Sequence, residues 1–145
     1  MFRNITGYMG DRSSKKNKLQ HIRKMYDLVD KHSSPRFQDE IFCQICKQTN
    51  KNPSLASTIN GWELMMLCLA MFPPSSHLML SLMVYCASVI ESVKSNDPLV
   101  LQYAETCLHN VHKITSLGKQ AAPSDEEIEK IRQGNTSYNL KSYQI

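Results

Sequence analysis

Two groups of residues have the types and spacing that could do chemistry. Cys43 and Cys46 form a Cys-x-x-Cys, and Cys107, His109 and His112 form a Cys-x-His-x-x-His further along. Zinc takes four soft or borderline ligands in a tetrahedron, usually as two close pairs. A second pair is missing, because Cys68, Cys86 and Cys107 stand alone, and Cys107 shares a helical face well with neither histidine. Cys43 and Cys46 lie one helical turn apart, so at least one reads as a small apolar packing residue. A redox dithiol would need a βαβ context that the surrounding sequence lacks. No Gly-x-Ser-x-Gly elbow and no phosphate-cradling loop occurs among the five glycines. Asp39-Glu40 and Asp125-Glu126-Glu127 resemble acid/base pairs in isolation. Helix starts explain them more simply, since carboxylates there oppose the positive end of the helix dipole. The expectation is a chain with no catalytic residue, no metal and no cofactor.

Charge offers a better lead. The chain carries 17 Lys/Arg against 13 Asp/Glu. Nine of the basic residues and only three of the acidic ones fall in residues 1–36. Arg12, Lys15, Lys16, Lys18, Arg23 and Lys24 crowd together, and Lys31 follows. On a helix of 3.6 residues per turn, Lys24 and Lys31 share a side opposite Ile22 and Val29. These seven residues are the candidate partner-binding surface, and an acidic partner suits them. Aromatic residues do not interleave with the cluster except Tyr26, whose period assigns it to the core, so stacking on single-stranded nucleic acid is disfavoured. Acidic protein tails are the favoured partner, and an anionic membrane surface is a lesser alternative.

The elements that must position these residues are helices. A length of 145 residues, 41% hydrophobic and 21% charged, is enough for one domain with its own core. No run of about 18 apolar residues marks a membrane span. Five cysteines with no leader-like apolar segment at the start read as reduced thiols of a cytoplasmic protein. Leu19, Ile22, Tyr26 and Val29 recur at helical spacing, with Ser13-Ser14 available as a cap. Ser34-Pro35, Asn52-Pro53 and Asp97-Pro98 each repeat a cap followed by proline at the first helical position. Asp39 and Glu40 fall in or near the first turn of the helix that Ser34 opens, which continues through Phe37, Ile41 and Ile45.

Residues 62–72 are apolar on every side except Glu63, the pattern of a helix buried all round. A central helix over about 61–72 is expected, with Gly61 allowing a bend or close approach before it. Glu63 is expected in an exposed first turn rather than against a buried cation, because buried glutamates are rare. Pro73-Pro74 stop that helix. Another then runs through Leu78, Leu82, Tyr85, Val89 and Val93. The next follows Leu101, Ala104, Leu108, Val111 and Ile114 to Gly118. Ser124 and Glu127 have capping-box spacing before Ile128 and Ile131, with a stop near Gly134. Met65, Met66, Met71, Met79 and Met83 read as adaptable core packing. The fold class is all-α, a compact bundle of about six to eight helices around the central one. Residues 1–134 form the domain, and 135–145 a C-terminal extension or linker.

Several short motifs carry a family resemblance. Asp39-Glu40-Ile41, Gln44-Ile45, Lys47-Gln48, Asn52-Pro53, Gly61-Trp62-Glu63-Leu64 and Phe72-Pro73-Pro74-Ser75 resemble the central signature of the myosin tail homology 4 domain. Ile5 with Tyr8-Met9-Gly10-Asp11 resembles its opening, and Gly118-Lys119, Pro123-Ser124 and Glu127-Ile128 its close. The resemblance implies an all-helical module of the tails of unconventional myosins, some plant kinesins and some Rho GTPase-activating proteins. It implies a cytoskeleton-associated, non-catalytic role in binding microtubules or cargo and adaptor tails. A structural helper packed on an adjacent FERM or RhoGAP domain is the alternative. Two positions depart from the pattern: Asn60 replaces an arginine before Gly-Trp, and Lys119 replaces an arginine after the late glycine, keeping charge but losing fork geometry.

Overall fold

Helix α4, Leu55–Met71, is the axis of the molecule. It packs against α1 (Phe2–Met9), α2 (Lys18–His32), α3 (Pro35–Thr49), α6 (Pro98–Leu117) and α7 (Asp125–Arg132). Helix α5, Ser76–Val93, packs mainly on α6 and also touches α3, and its Tyr85 stacks on Trp62 of α4. The computed structural model describes residues 1–32, 34–93 and 97–133, and no strand occurs among them. Gly134 and the expected extension 135–145 lie outside the described residues.

The central helix has the expected end and an earlier beginning. Every residue from Gly61 to Phe72 is buried, and α4 stops at Met71 ahead of Pro73-Pro74. Its start is Ser54, whose Oγ accepts from the Ser57 backbone N–H at 3.2 Å. Asn52 is therefore not the cap. Its Oδ1 accepts from the Ser54 N–H at 2.9 Å, which turns the chain into the helix. Gly61 lies well inside α4 rather than at its start, and it permits close approach rather than a bend.

Local signals elsewhere place the helix ends. Asp97 caps α6 by accepting from the Leu99 and Val100 N–H groups at 3.1 and 2.9 Å. Ser124 and Glu127 form the reciprocal capping box of α7. Asp39 sits beyond the first turn of α3, whose first residue is Pro35. Its carboxylate instead accepts from the Ser75 backbone N–H at 2.7 Å and from Ser75 Oγ at 2.5 Å. Ser75 Oγ in turn receives the Leu78 N–H at 3.3 Å, so Asp39 supports the start of α5 rather than of its own helix. On α6 the buried stripe is Val100, Tyr103, Ala104, Cys107, Val111 and Ile114. Leu101 and Leu108 lie at its margin, half-buried.

A Cβ placed at Gly61 would stand 2.5 Å from Thr49 Cγ2 and 2.9 Å from Met9 Cε. Met9 ends in a flexible thioether, but Thr49 is pinned. Its hydroxyl donates to the Ile45 carbonyl at 2.9 Å and lies 2.8 Å from the Tyr85 hydroxyl. Alanine gains about 1 kcal/mol of helix propensity over glycine, and overpacking costs about 1–3 kcal/mol. Because Thr49 is pinned, the cost lies in the upper part of that range, and we expect Gly61→Ala to lower stability in urea unfolding by about 1–2 kcal/mol net. Adding Thr49→Ser, which removes Cγ2 and keeps the hydroxyl, should recover most of that loss. A neutral or stabilising Gly61→Ala would contradict the close approach.

Candidate functional site

The seven basic residues fall into two groups. Arg12, Lys15 and Lys16 lie in the exposed segment between α1 and α2, and Lys24 and Lys31 on the exposed side of α2. No described group pairs with any of these five side chains. Local chemistry holds the segment in place. Gly10 takes the left-handed conformation at φ 83° and closes α1. Asn17, not Ser13 or Ser14, then caps α2. Its Oδ1 accepts from the Gln20 N–H at 2.9 Å, and Gln20 Oε1 accepts from the Asn17 N–H at 2.8 Å. Ile22, Met25 and Val29 face the core, which turns Lys24 outward. Lys16, Gln20, Arg23, Lys24 and Asp27 line one shallow hollow, so the segment and the helix share a surface.

Lys18 and Arg23 are engaged within the domain. Arg23 donates from Nε to Asp125 Oδ1 at 2.8 Å and from Nη2 to that same oxygen and to the Pro123 carbonyl, the latter at 3.0 Å, tying α2 to the start of α7. The Lys18 ammonium donates to Asn60 Oδ1 at 2.8 Å and to Glu63 Oε1 at 3.2 Å, and it lies 5.1 Å from the Tyr8 ring centroid. Solvation therefore governs five of the seven charges, and internal pairing governs these two.

Glu63 is the residue that sequence reasoning placed wrongly. It is 7% exposed and lies mid-helix, not in an exposed first turn. Its Oε1 accepts from the Tyr8 hydroxyl, from Lys18 and from Arg132 Nε at 3.1 Å. Tyr103 donates to Oε2 at 3.4 Å. Five helices thus meet at one carboxylate. Burial, with Glu63 beside it, pushes the Tyr8 phenol far above its ordinary value, so it stays a neutral donor. The one acid in an otherwise apolar run was the available signal; no local feature pointed to its partners.

The thiols show no chemistry of their own. Burial pushes Cys46 up to about 12 and raises Cys43, with Glu40 and Asp39 adding to the latter. Neither is poised as a thiolate. No group of three or more metal-ligating side chains occurs among the described residues. His109 and His112 are exposed, whereas Cys107 is buried. His21 is 3% exposed against α1, with Nδ1 3.1 Å from Asn4 Oδ1 and Nε2 unpartnered. Burial, with Lys16 nearby, holds its pKa below the usual imidazole value.

The motif residues are thus spent on the core and the caps, and five unpaired cations lie on α2 and the segment before it. A family model described as the MyTH4 domain matches residues 26–130. The chain belongs to the MyTH4 domain family. It is 38% identical over 97% of its length to the high molecular weight form of myosin-1 of Acanthamoeba castellanii, covering 8% of that protein. It is 29% identical over 99% of its length to unconventional myosin-VIIb of Mus musculus, covering 6%. To kinesin-like protein KIN-14I of Oryza sativa subsp. japonica it is 34% identical over 89% of its length, covering 10%. The chain therefore spans a small fraction of each relative.

Among solved structures, the C-terminal MyTH4-FERM domain of human myosin 7b, in complex with the harmonin-a PDZ3 domain, aligns with a TM-score of 0.73. It is 30% identical, covering 91% of this chain and 26% of that one. The MyTH4-FERM MF2 domain of Dictyostelium discoideum myosin VII aligns with a TM-score of 0.76 at 24% identity, covering 99% of this chain and 28% of that one, a likeness of fold.

Within the MyTH4 fold, Asn60 and Lys119, the two positions expected to depart from the family pattern, both make internal contacts. Asn60 donates from Nδ2 to the Met9 carbonyl at 3.1 Å and accepts from Lys18. Lys18 so brings to Glu63 a cation from α2. Lys119 donates to Asp30 Oδ1 at 2.7 Å and to the Tyr26 hydroxyl at 3.4 Å, and those bonds raise its pKa. A point charge suffices to fasten the α6–α7 connection onto α2.

Proposed function

We propose that this MyTH4 domain is a non-catalytic interaction module of a cytoplasmic, cytoskeleton-associated motor or signalling protein. It binds microtubules or the acidic tails of cargo and adaptor proteins through Arg12, Lys15, Lys16, Lys24 and Lys31. The observation that carries this reading is that these five charges are exposed and unpaired on α2 and the segment that leads into it. Lys18 and Arg23 border the surface and hold it in shape. Exposed charges of one sign speed encounter with an acidic partner and lose strength as salt rises.

The test is co-sedimentation with microtubules, with and without the acidic tubulin tails, at about 50 and about 150 mM salt, where the screening length shortens to about 8 Å. Binding should fall with tail removal and with salt. Replacing the five free residues with glutamine should abolish it while leaving the unfolding midpoint in place. Binding indifferent to both tails and salt would overturn the electrostatic reading.

A second reading has its own support. Helix α5 carries no Asp, Glu, Lys or Arg before Glu91, and Leu80 and Val84 on its outer side are 67% and 60% exposed. A face without acidic or basic side chains that exposes Leu80 and Val84 suits packing against another domain, of FERM or RhoGAP type, in a longer protein.

A further inference from the structure

We infer that the cleft between the α3–α4 connection and α5 is a second peptide-binding site, specific for a partner segment that presents a carboxylate beside an apolar side chain. The cleft measures about 270 Å³ and opens beside Trp62, Tyr85, Val89 and Val100, with Asn50 and Lys51 on its rim. None of the α2 basic residues lines it, so it is independent of the surface proposed above.

Four observations define what it would take. The first is its floor. Tyr85 is stacked on Trp62 at 5.6 Å between centroids and 14° between planes. The Tyr85 hydroxyl donates to the Cys46 carbonyl at 3.3 Å and meets Thr49 at 2.8 Å, so the aromatic pair is fixed before any ligand arrives. The second is an unspent donor. Trp62 is 1% exposed, and no described group accepts from its indole N–H. The sealed, unpartnered side-chain atoms among the described residues are His21 Nε2 and Asn110 Nδ2, so the indole nitrogen is neither bonded nor fully sealed and keeps a trace of exposure where Trp62 lines this cleft.

The third is charge. Lys51 is exposed and has no described partner, and no acidic residue is among the described residues that line the cleft. A site with a cation, an indole N–H and the Asn50 amide, and no carboxylate of its own, selects an acceptor carrying negative charge. Val89 and Val100 supply the apolar wall for a neighbouring side chain. The fourth is backbone strain. Lys51 sits at φ 54°, the one non-glycine residue with positive φ among those described. An L-residue held in that conformation costs stability, and such strain gathers at binding sites.

The chain has a single tryptophan, so one indole N–H resonance reports on the cleft directly. The probe is a blocked pentapeptide with one glutamate flanked by valines, titrated against ¹⁵N-labelled protein. Its glutamine counterpart and sodium acetate serve as controls. The indole resonance should move with the glutamate peptide and stay still with both controls. Lys51→Ala should weaken binding about tenfold or more, as expected for a lost hydrogen bond to a charged group. Lys51→Gly should weaken it equally while raising the melting temperature, because glycine adopts this conformation without penalty. The inference is overturned if the glutamine peptide or acetate shifts the indole equally, or if no probe shifts it. It is also overturned if Lys51→Gly lowers stability along with affinity, which would make Lys51 a structural residue.

Discussion

Glu63→Ala is expected to cost the fold about 3 kcal/mol or more. Removing one partner of a buried ion pair typically costs about 3–5 kcal/mol, because the remaining charges lose their compensation. Here the alanine would strand Arg132, Lys18 and the phenols of Tyr8 and Tyr103. The Arg132 and Lys18 side chains retain 25% and 32% exposure, so water hydrates them in part and the cost falls at the low end of that range. Against a typical domain stability of about 5–15 kcal/mol, this is a large fraction. Glu63→Gln keeps an acceptor in place and should lose less than alanine. In urea unfolding the midpoint should drop with an unchanged slope, the sign of lost stability rather than an altered unfolded state. The Glu63→Ala, Arg132→Ala pair should lose clearly less together than the sum of the two, as groups in one network do. A loss below about 1 kcal/mol, the range of an exposed ion pair, would show that solvent already screens the cluster. The consequence for function is practical. Lys18 belongs to this cluster, so replacing it in a binding assay would mix a folding defect with a lost contact.

Trp62→Ala should be comparably damaging. Large aromatic deletions from cores cost about 3–5 kcal/mol, from lost transfer energy and from the cavity left behind. Trp62 is 1% exposed and lies on Tyr85 in a near-parallel stack, an arrangement worth about 0.5–1.5 kcal/mol beyond burial. Trp62→Phe keeps most of the apolar contact and should cost well under half as much. The measurement is again the urea midpoint, with near-ultraviolet circular dichroism to report whether Tyr85 keeps its environment. If alanine and phenylalanine cost the same, the indole's size is irrelevant and the site has collapsed around the loss. The Gly61-Trp62 motif then matters for family membership through packing: glycine admits Thr49 and Met9, and the indole fills the space beside them.

The sequence by itself determined the helices and most of their ends. Asp97, the Ser124–Glu127 box, Gly118 and Pro73-Pro74 act within four or five residues of the ends they set. Their meaning therefore survives without knowledge of the fold. The buried run from Gly61 to Phe72 was legible for the same kind of reason, since a helix with no polar face has no side to give to water. Where several nearby residues offered the same chemistry, the choice passed to tertiary structure. Asn17 rather than Ser13 or Ser14 caps α2, and Ser54 rather than Asn52 caps α4. The short α1 escaped periodicity altogether, because eight residues give barely two turns and α1 depends on packing against α4, α2 and α3.

The basic cluster shows the division most plainly. Its composition predicted seven equivalent cations. Which of them remain free was decided by partners far away in the chain: Asp125 lies 102 residues from Arg23, and Glu63 lies 45 from Lys18. Glu63 itself gathers donors 55, 45, 40 and 69 residues distant. Hydrogen bonds of that span carry no local periodicity. Only the packing of five helices on one axis brings the groups within 3.4 Å and settles which charges hold the domain together and which face solvent.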